Sequence, residues 1–331
     1  MKKKIISMTL LATMLTMSLA ACGSGSDDKG SATNSDAKYQ VGVCQLVQHE
    51  ALDAATQGFQ DALKDEFGDD VSIDVQNAAG DSATCATICN SFVSEGDDLI
   101  LANATPALQA ATAATGDIPI VGTSITDYAT ALDMSDWTGT SGTNVTGTSD
   151  LAPLDQQADM LAELFPDAKN VGILYCSAEA NSKYQADTIT GYLEDKGYTV
   201  EAYTFADTND VASVTQNACD ASDVLYIPTD NTAASCTEAI NGVALNAKVP
   251  IIAGEEGICK GCGVATLSID YYDIGYAAGQ MAVEILKDGK DPATMEIQTA
   301  TQVTKEYNEE ICKTLGLTIP EEYEAIKAEE E

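Results

Sequence analysis

Residues 39–46, Tyr39-Gln-Val-Gly-Val-Cys-Gln-Leu46, read as a strand, and 51–65, opening Ala51-Leu-Asp-Ala-Ala, read as an amphipathic helix. The alternation continues with strands at 71–76, 99–102 and 118–122 and helices at 82–94 and 106–114. Short apolar runs separated by longer helical ones imply parallel strands, because parallel neighbours need a crossover segment between them. The order then repeats. Val41-Gly-Val-Cys-Gln45 is matched by Val171-Gly-Ile-Leu-Tyr175, Asp98-Leu-Ile-Leu-Ala102 by Asp223-Val-Leu-Tyr-Ile227, and Ile118-Pro-Ile-Val121 by Val249-Pro-Ile-Ile252. From Val41 to Val171, Asp98 to Asp223 and Pro119 to Pro250 the spacings are 130, 125 and 131 residues. Three strands in one order at nearly one offset point to two similarly built α/β lobes. A single large doubly wound sheet is the alternative.

In open α/β sheets, ligands sit beyond the carboxyl ends of the strands. That rule marks the loops at 45–52, 103–106, 123–128, 177–182, 229–232 and 254–257. Two facing lobes make a cleft lined from both sides, and the Gly-, Thr- and Ser-containing connections at 145–151 and 268–272 are the hinge candidates.

Composition narrows the function. The 331 residues hold 52 Asp and Glu against 16 basic residues, all of them Lys, for a net charge of −36. Such a chain is a poor nucleic-acid binder, because Lys and Arg contacts to phosphate supply most of that affinity. Without Arg there is also no bidentate guanidinium clamp for phosphate, sulfate or dicarboxylate ligands.

Met1-Lys-Lys-Lys4 is a basic start, the stretch 5–20 is apolar, and Leu19-Ala-Ala-Cys22 looks like a bacterial lipobox. The expectation is a signal peptide over 1–21, a lipid on Cys22 and a flexible tether over 22–38, rich in Gly, Ser and Asp. Cutting before Cys22 leaves 13 Lys against 52 acids, or −39. No later stretch approaches 18 continuous apolar residues. The protein is expected at the extracytoplasmic face of the cell membrane.

Nine further Cys make an odd count, which fits free thiols in a reducing habitat better than a disulfide scaffold. Most read as small core hydrophobes, with a local Cys259–Cys262 disulfide allowed by the one CxxC. One CxxC and one His in the whole chain argue against a metal site. Catalysis has no support either: His49 has no nucleophile elbow beside it, and neither a P-loop nor a G-x-G-x-x-G follows a strand. No cofactor is expected.

Several strings carry a family resemblance: Gln48-His-Glu-Ala-Leu-Asp53, Ala102-Asn-Ala-Thr-Pro106, Asn144-Val-Thr-Gly-Thr-Ser-Asp-Leu151 and Ser177-Ala-Glu-Ala-Asn-Ser182. Tyr226-Ile-Pro-Thr-Asp-Asn-Thr232, Ala253-Gly-Glu-Glu-Gly257 and Ser268-Ile-Asp-Tyr-Tyr-Asp-Ile-Gly275 belong with them. Over residues 39–317 the chain resembles the extracytoplasmic solute-binding lipoproteins of ABC importers, in the branch that takes tryptophan and other aromatic amino acids. The resemblance implies a periplasmic-binding-protein type I fold, two doubly wound parallel-sheet lobes joined by a hinge. The lobes would comprise 39–147 with 271–299 and 148–270 with 300–331. It further implies a small-molecule ligand, an aromatic amino acid in class, and permease and ATPase partners. A sensing lipoprotein, or a binder of a nucleoside or sugar, is the alternative.

With no Arg, the carboxylate of an amino acid must meet hydroxyls and backbone N–H groups at helix N-termini, where the dipole favours an anion. Thr105-Pro106 fits that role, followed by Ser124, Thr126, Ser177 and Asn181. Leu46, His49, Leu52 and Tyr128 are candidates for the side-chain pocket. The ammonium is expected on Asp230 and Glu255, with Asp150 and Asp270 as second choices; the alternatives are that Asp230 caps the helix near Thr232 and that Glu255 is solvated. Gln45, Asp127 and Asn231, on the same loops, complete the candidate set.

Overall fold

The computed structural model describes residues 37–300 and 302–327. The signal peptide, the lipobox with Cys22 and most of the tether lie outside the described residues. In the first half, β1 (Tyr39–Gln45), β2 (Val71–Asn77), β3 (Leu99–Asn103), β4 (Ile120–Ile125) and β5 (Val145–Ser149) alternate with α1 (Glu50–Phe67), α2 (Ser82–Glu95), α3 (Thr105–Ala114) and the short α4 (Tyr128–Ala131). The second half runs α5 (Leu154–Leu164), β6 (Asn170–Cys176), α6 (Ala180–Asp195), β7 (Thr199–Phe205), α7 (Val211–Ala221) and β8 (Val224–Ile227). It continues with α8 (Asn231–Ala234), α9 (Thr237–Ala247), β9 (Ile251–Ala253), α10 (Glu256–Cys262) and β10 (Ala265–Ser268). Last come α11 (Tyr271–Asp288), β11 (Gln298–Thr299), β12 (Thr304–Tyr307), α12 (Glu309–Leu315) and β13 (Glu324–Ala325).

The strands form two sheets, ordered β11-β5-β4-β3-β1-β2 and β13-β12-β10-β9-β8-β6-β7. The inner orders, 2-1-3-4-5 and 7-6-8-9-10, are the same doubly wound topology built twice. Every pairing is parallel except β10 with β12. The central strand β3, Leu99-Ile-Leu-Ala-Asn103, is buried at every position, as a parallel strand covered on both faces must be. Phe92, Leu108 and Ile120 pack one face of the first sheet and Phe59, Leu63 and Met281 the other. The second sheet is likewise sandwiched, by Leu161 and Ile189 on one side and Val211, Ile240 and Ile258 on the other.

The chain crosses between the sheets three times: after β5, after β10, and between β11 and β12. The first crossing is shorter than the expected hinge at 145–151, since Val145–Ser149 is a fully buried strand. Its Thr- and Gly-rich sequence tolerates that position because Gly147 has φ 147° and a Cβ there would stand 2.0 Å from the Gly122 carbonyl oxygen. Only Asp150 to Pro153 is left to cross. At the second crossing Ser268 ends β10 and Tyr271 opens α11, so Ile269 and Asp270 make the passage.

All nine Cys of the described residues are free, eight of them buried and Cys236 half-buried. The Cys259–Cys262 disulfide is not formed. Both residues lie in α10, and residues three apart on a helix hold their Cβ atoms about 5–6 Å apart, wider than the roughly 4 Å a disulfide needs.

Candidate functional site

The carboxyl ends of both sheets face a cleft between the lobes, and the N-termini of the helices that follow open onto the same edge. On the first lobe, Asn103 ends β3 with its Nδ2 donating to the Leu52 carbonyl (2.8 Å) and Thr56 Oγ1 (2.9 Å), while its buried Oδ1 has no partner. Ala104 follows at φ 90°, ψ 155°, a conformation that costs a residue with a side chain about 1–3 kcal/mol. Thr105 then opens α3 with Pro106 behind it and no side-chain cap. Ser124, at φ 56° in the bulge where β4 loses register with β5, is buried with an unpaired hydroxyl. Two strained residues and two orphaned polar atoms at neighbouring strand ends mark a place shaped for something other than packing.

Thr126 and Asp150 join the site to the first crossing. The Thr126 hydroxyl donates to Asp150 Oδ1 (3.2 Å), and the Tyr271 hydroxyl, from the second crossing, donates to Asp150 Oδ2 (3.1 Å). Burial pushes the Asp150 carboxyl up to about 6, against the pull of those two hydroxyls.

On the second lobe the organising group is Glu179, which the sequence reading passed over. It is buried and accepts from the backbone N–H groups of Asn231 (3.1 Å) and Thr232 (2.8 Å), the side-chain amides of Asn181 (3.1 Å) and Asn231 (2.7 Å), and the Thr232 hydroxyl (2.7 Å). Asn181 Nδ2 also donates to the Thr229 carbonyl (3.1 Å), and its buried Oδ1 is unpaired. Gln185, also unforeseen, donates to the same Thr229 carbonyl (3.1 Å) and accepts from the Thr229 N–H (3.1 Å).

Contacts between the lobes close this network. Gln185 Nε2 donates to Thr126 Oγ1 (3.4 Å), His49 Nε2 meets Asn231 Oδ1 (3.2 Å), and Lys260 pairs with Glu50 (2.8 Å). Because the Asn231 amide nitrogen is committed to Glu179, its oxygen faces His49, so the ring must carry its proton on Nε2. Burial holds the His49 pKa below its ordinary value, which favours that neutral form. A cavity of about 200 Å³ lies between the lobes, lined by Leu46, Val47 and Pro106 on one side and Glu179, Asn231 and Thr232 on the other. A second, of about 590 Å³, lies beside the crossings and is lined by Glu50, Glu256, Asp270, Tyr271 and Glu306. Among the described residues no group of three or more His, Cys, Asp or Glu is arranged to hold a metal ion.

The remaining candidates have other work. Asp230 caps α8, accepting from Ala233 N–H (2.7 Å), and its second oxygen takes the Cys176 N–H (2.6 Å). Glu255 caps α10 through the N–H groups of Gly257 (2.7 Å) and Ile258 (2.6 Å). Asp127 caps α4 and Asp270 caps α11. Gln45 is turned inward, bonding Val47 O, Asp53 and Thr56, so it braces the loop after β1. Ser177 is exposed and donates to Phe205 O. Tyr128 stacks on Trp137 and donates to Thr148 O, and it belongs with Leu52 to the lobe core. Buried Leu46, by contrast, reaches the interlobe cavity.

Residues 40–330 match the family model for ABC transporter substrate binding proteins. The chain belongs to that family. It is 36% identical over 322 residues to the tyrosine-binding protein of Clostridioides difficile, covering 95% of this chain and 93% of that one. A Streptococcus pneumonia ABC domain in complex with L-Trp superposes with TM-score 0.83 at 35% identity, over 88% of this chain and all of the other. The ligand-free, open structure of a Clostridium difficile substrate binding protein with adhesive properties has the same coverage and 37% identity but TM-score 0.67. The periplasmic-binding-protein type I fold of this substrate-binding protein is established with them. No helix among the described residues is long and apolar enough to cross a membrane.

Proposed function

We propose that this substrate-binding protein captures an aromatic amino acid, tryptophan or tyrosine, between its lobes and delivers it unchanged to a membrane permease driven by an ATPase. The reading is carried by three buried, unpaired polar atoms, Asn103 Oδ1 at the end of β3, Ser124 Oγ in the β4 bulge and Asn181 Oδ1 in the first turn of α6. Two relatives at 35–36% identity, one named for tyrosine and one holding L-Trp, support the ligand class. In a chain without Arg, the open N-terminus of α3 and the hydroxyls of Thr105 and Ser124 take the ligand carboxylate, since backbone N–H groups and the helix dipole both favour an anion there. Closure over a ligand stabilises only the closed, folded form, by roughly 2.7 kcal/mol at 100 times the dissociation constant. A thermal-shift panel of amino acids, nucleosides and simple sugars tests this. Trp, Tyr or both should raise the melting point most, and a panel in which only sugars or nucleosides act would remove the ligand assignment.

The extracytoplasmic anchor is part of the same reading, carried by the Leu19-Ala-Ala-Cys22 lipobox. Cys22→Ala should leave the protein unprocessed or release it from the membrane fraction. A variant processed and membrane-bound like the wild type would contradict the anchor.

A further inference from the structure

Three thiols meet in the core of the first lobe. Along β1, Gly42 and Cys44 share one face, because side chains alternate along a strand. Along α2, Cys85, Cys89 and Phe92 recur at helical spacing and make one buried stripe. Strand and helix approach closely: a Cβ on Gly42 would stand 2.4 Å from Phe92 Cγ. That approach sets Cys44 against Cys85 and Cys89. Its Sγ reaches the Cys85 carbonyl oxygen (4.0 Å) and lies in hydrogen-bond contact with both helix thiols. All three residues are fully buried and belong to one apolar cluster.

Cys85 and Cys89 are poor partners for each other, since residues i and i+4 of a helix hold their Cβ atoms about 5–6 Å apart and a disulfide needs roughly 4 Å. Cys44 is the partner they share. The two helix thiols differ in access. Residues 81–84, which lead into Cys85, are all exposed, and Ala79, Gly80 and Ser82 line the interlobe cavity of about 200 Å³. Helix ends open before helix middles, so fraying of this turn uncovers Cys85 while Cys89, one turn deeper, stays covered. The thiolate is the reactive form of Cys. The hydrogen bond from Cys44 holds the Cys85 thiol below its ordinary pKa. The Cys44 thiol is pushed up by its hydrogen bonds to Cys85 and Cys89 and by burial, so it keeps its proton.

We propose that Cys85 and Cys44 are a peroxide-reactive pair, in which Cys85 is oxidised first and Cys44 resolves it into a disulfide that staples β1 to α2. In the first step the Cys85 thiolate sulfur attacks one oxygen of hydrogen peroxide. An S–O bond forms, the O–O bond breaks, and Cys85 becomes a sulfenic acid as hydroxide leaves and takes up the proton that the thiol had released. In the second step the Cys44 sulfur attacks the Cys85 sulfur. The S–S bond forms, the S–O bond breaks, and the departing hydroxide leaves as water with the Cys44 proton. The two thiols together lose two electrons, and the peroxide is reduced to two waters. The staple lies one residue before Gln45, which braces the loop after β1.

The test is a thiol map. The folded protein is treated with hydrogen peroxide, then denatured, alkylated with iodoacetamide, digested and read by mass spectrometry, as wild type and as Cys44→Ala, Cys85→Ala and Cys89→Ala. Wild type and Cys89→Ala should give a Cys44–Cys85 cross-link that dithiothreitol reverses. Cys44→Ala should lose the cross-link and accumulate Cys85 sulfenic acid, trapped by dimedone above the wild-type level. Cys85→Ala should leave Cys44 as an alkylated thiol. The wild-type map decides the pairing even if a variant fails to fold. A wild type in which Cys44 and Cys85 both stay alkylated while the half-buried Cys236 is oxidised, or in which Cys44 is joined to Cys89 instead, would overturn the proposal.

Discussion

At the scale of single residues, the carboxylates divide by what their oxygens already hold. Asp127, Asp230, Glu255 and Asp270 sit where a strand hands over to a helix, and each accepts the N–H groups of the first turn. The sequence reading puts them just past strand ends, ahead of the helices they cap. It could not separate cap from ligand, because in a parallel α/β lobe the carboxyl ends of the strands and the amino ends of the helices share one edge. Glu179 was hidden for a related reason: in a chain with 52 acids, one more Glu in a loop carries no signal until its five donors are seen. The buried acids also set a pH dependence. Asp150, Glu255 and Asp230 have carboxyls raised to about 6, 7 and 8 by burial, and Asp97 and Glu306 are raised with them. The folded state thus binds more protons than the unfolded one between about pH 4 and 8, so stability is greatest at the acid end and declines through that window. Asp81, Asp223 and Glu163 are pulled the opposite way, but they are exposed and solvent screens most of their effect. Ligand-free melting should be higher at pH 5 than at pH 8. Asp230→Asn should flatten that slope and destabilise the protein at pH 5 by about 1–3 kcal/mol, through a buried N–H left unpaired, with ligand affinity within threefold of wild type. A stability that climbs from pH 5 to 8, or an Asp230→Asn variant with normal stability and lost binding, would reverse the assignment.

At the scale of elements, the strand and helix order was legible because the two periodicities, buried apolar runs and amphipathic stretches, alternate cleanly. The strand β5 was not. Val145-Thr-Gly-Thr-Ser149 has the composition of a hinge, and only the neighbouring Gly122 and Gly147 reveal that two backbones meet there. The pairing of α1 with α11, separated by some 200 residues of sequence, was equally out of reach. It depends on glycines: a Cβ on Gly275 would stand 2.0 Å from Ala55 O, and one on Gly58 would stand 2.2 Å from Tyr272 O. Such contacts are backbone against backbone, so no rotamer relieves them. Gly275→Ala should destabilise the ligand-free protein by at least about 1–3 kcal/mol, as overpacking does. Gly191→Ala, in open space on α6, should instead stabilise it by roughly 0.5–1 kcal/mol. Denaturant titration of the two variants checks the contrast, and equal effects from both would show that α1 and α11 are not in such close contact.

At the scale of the whole molecule, the repeat spacing of 125–131 residues becomes two lobes of the same strand order, each presenting its ligand edge to the other. Residues on both sides hold the two lobes together. His49 with Asn231, Thr126 with Gln185 and Glu50 with Lys260 bridge the cleft, while Ala51, Ala55, Ala152, Ile269, Tyr271 and Ile274 pack together at the crossings. Ala104 and Ser124 are strained, and oxygens of Asn103, Ser124 and Asn181 are buried without a partner. An amino acid supplies donors and acceptors of both signs together with an apolar body. The most direct measurement is calorimetric titration of the wild-type protein with L-Trp and L-Tyr beside ribose, glucose and adenosine at pH 7. Saturable one-to-one binding of one or both amino acids, with the ligand recovered unchanged and no response to the other three, is the predicted result; saturable binding of a sugar or nucleoside with none for L-Trp or L-Tyr would contradict the account.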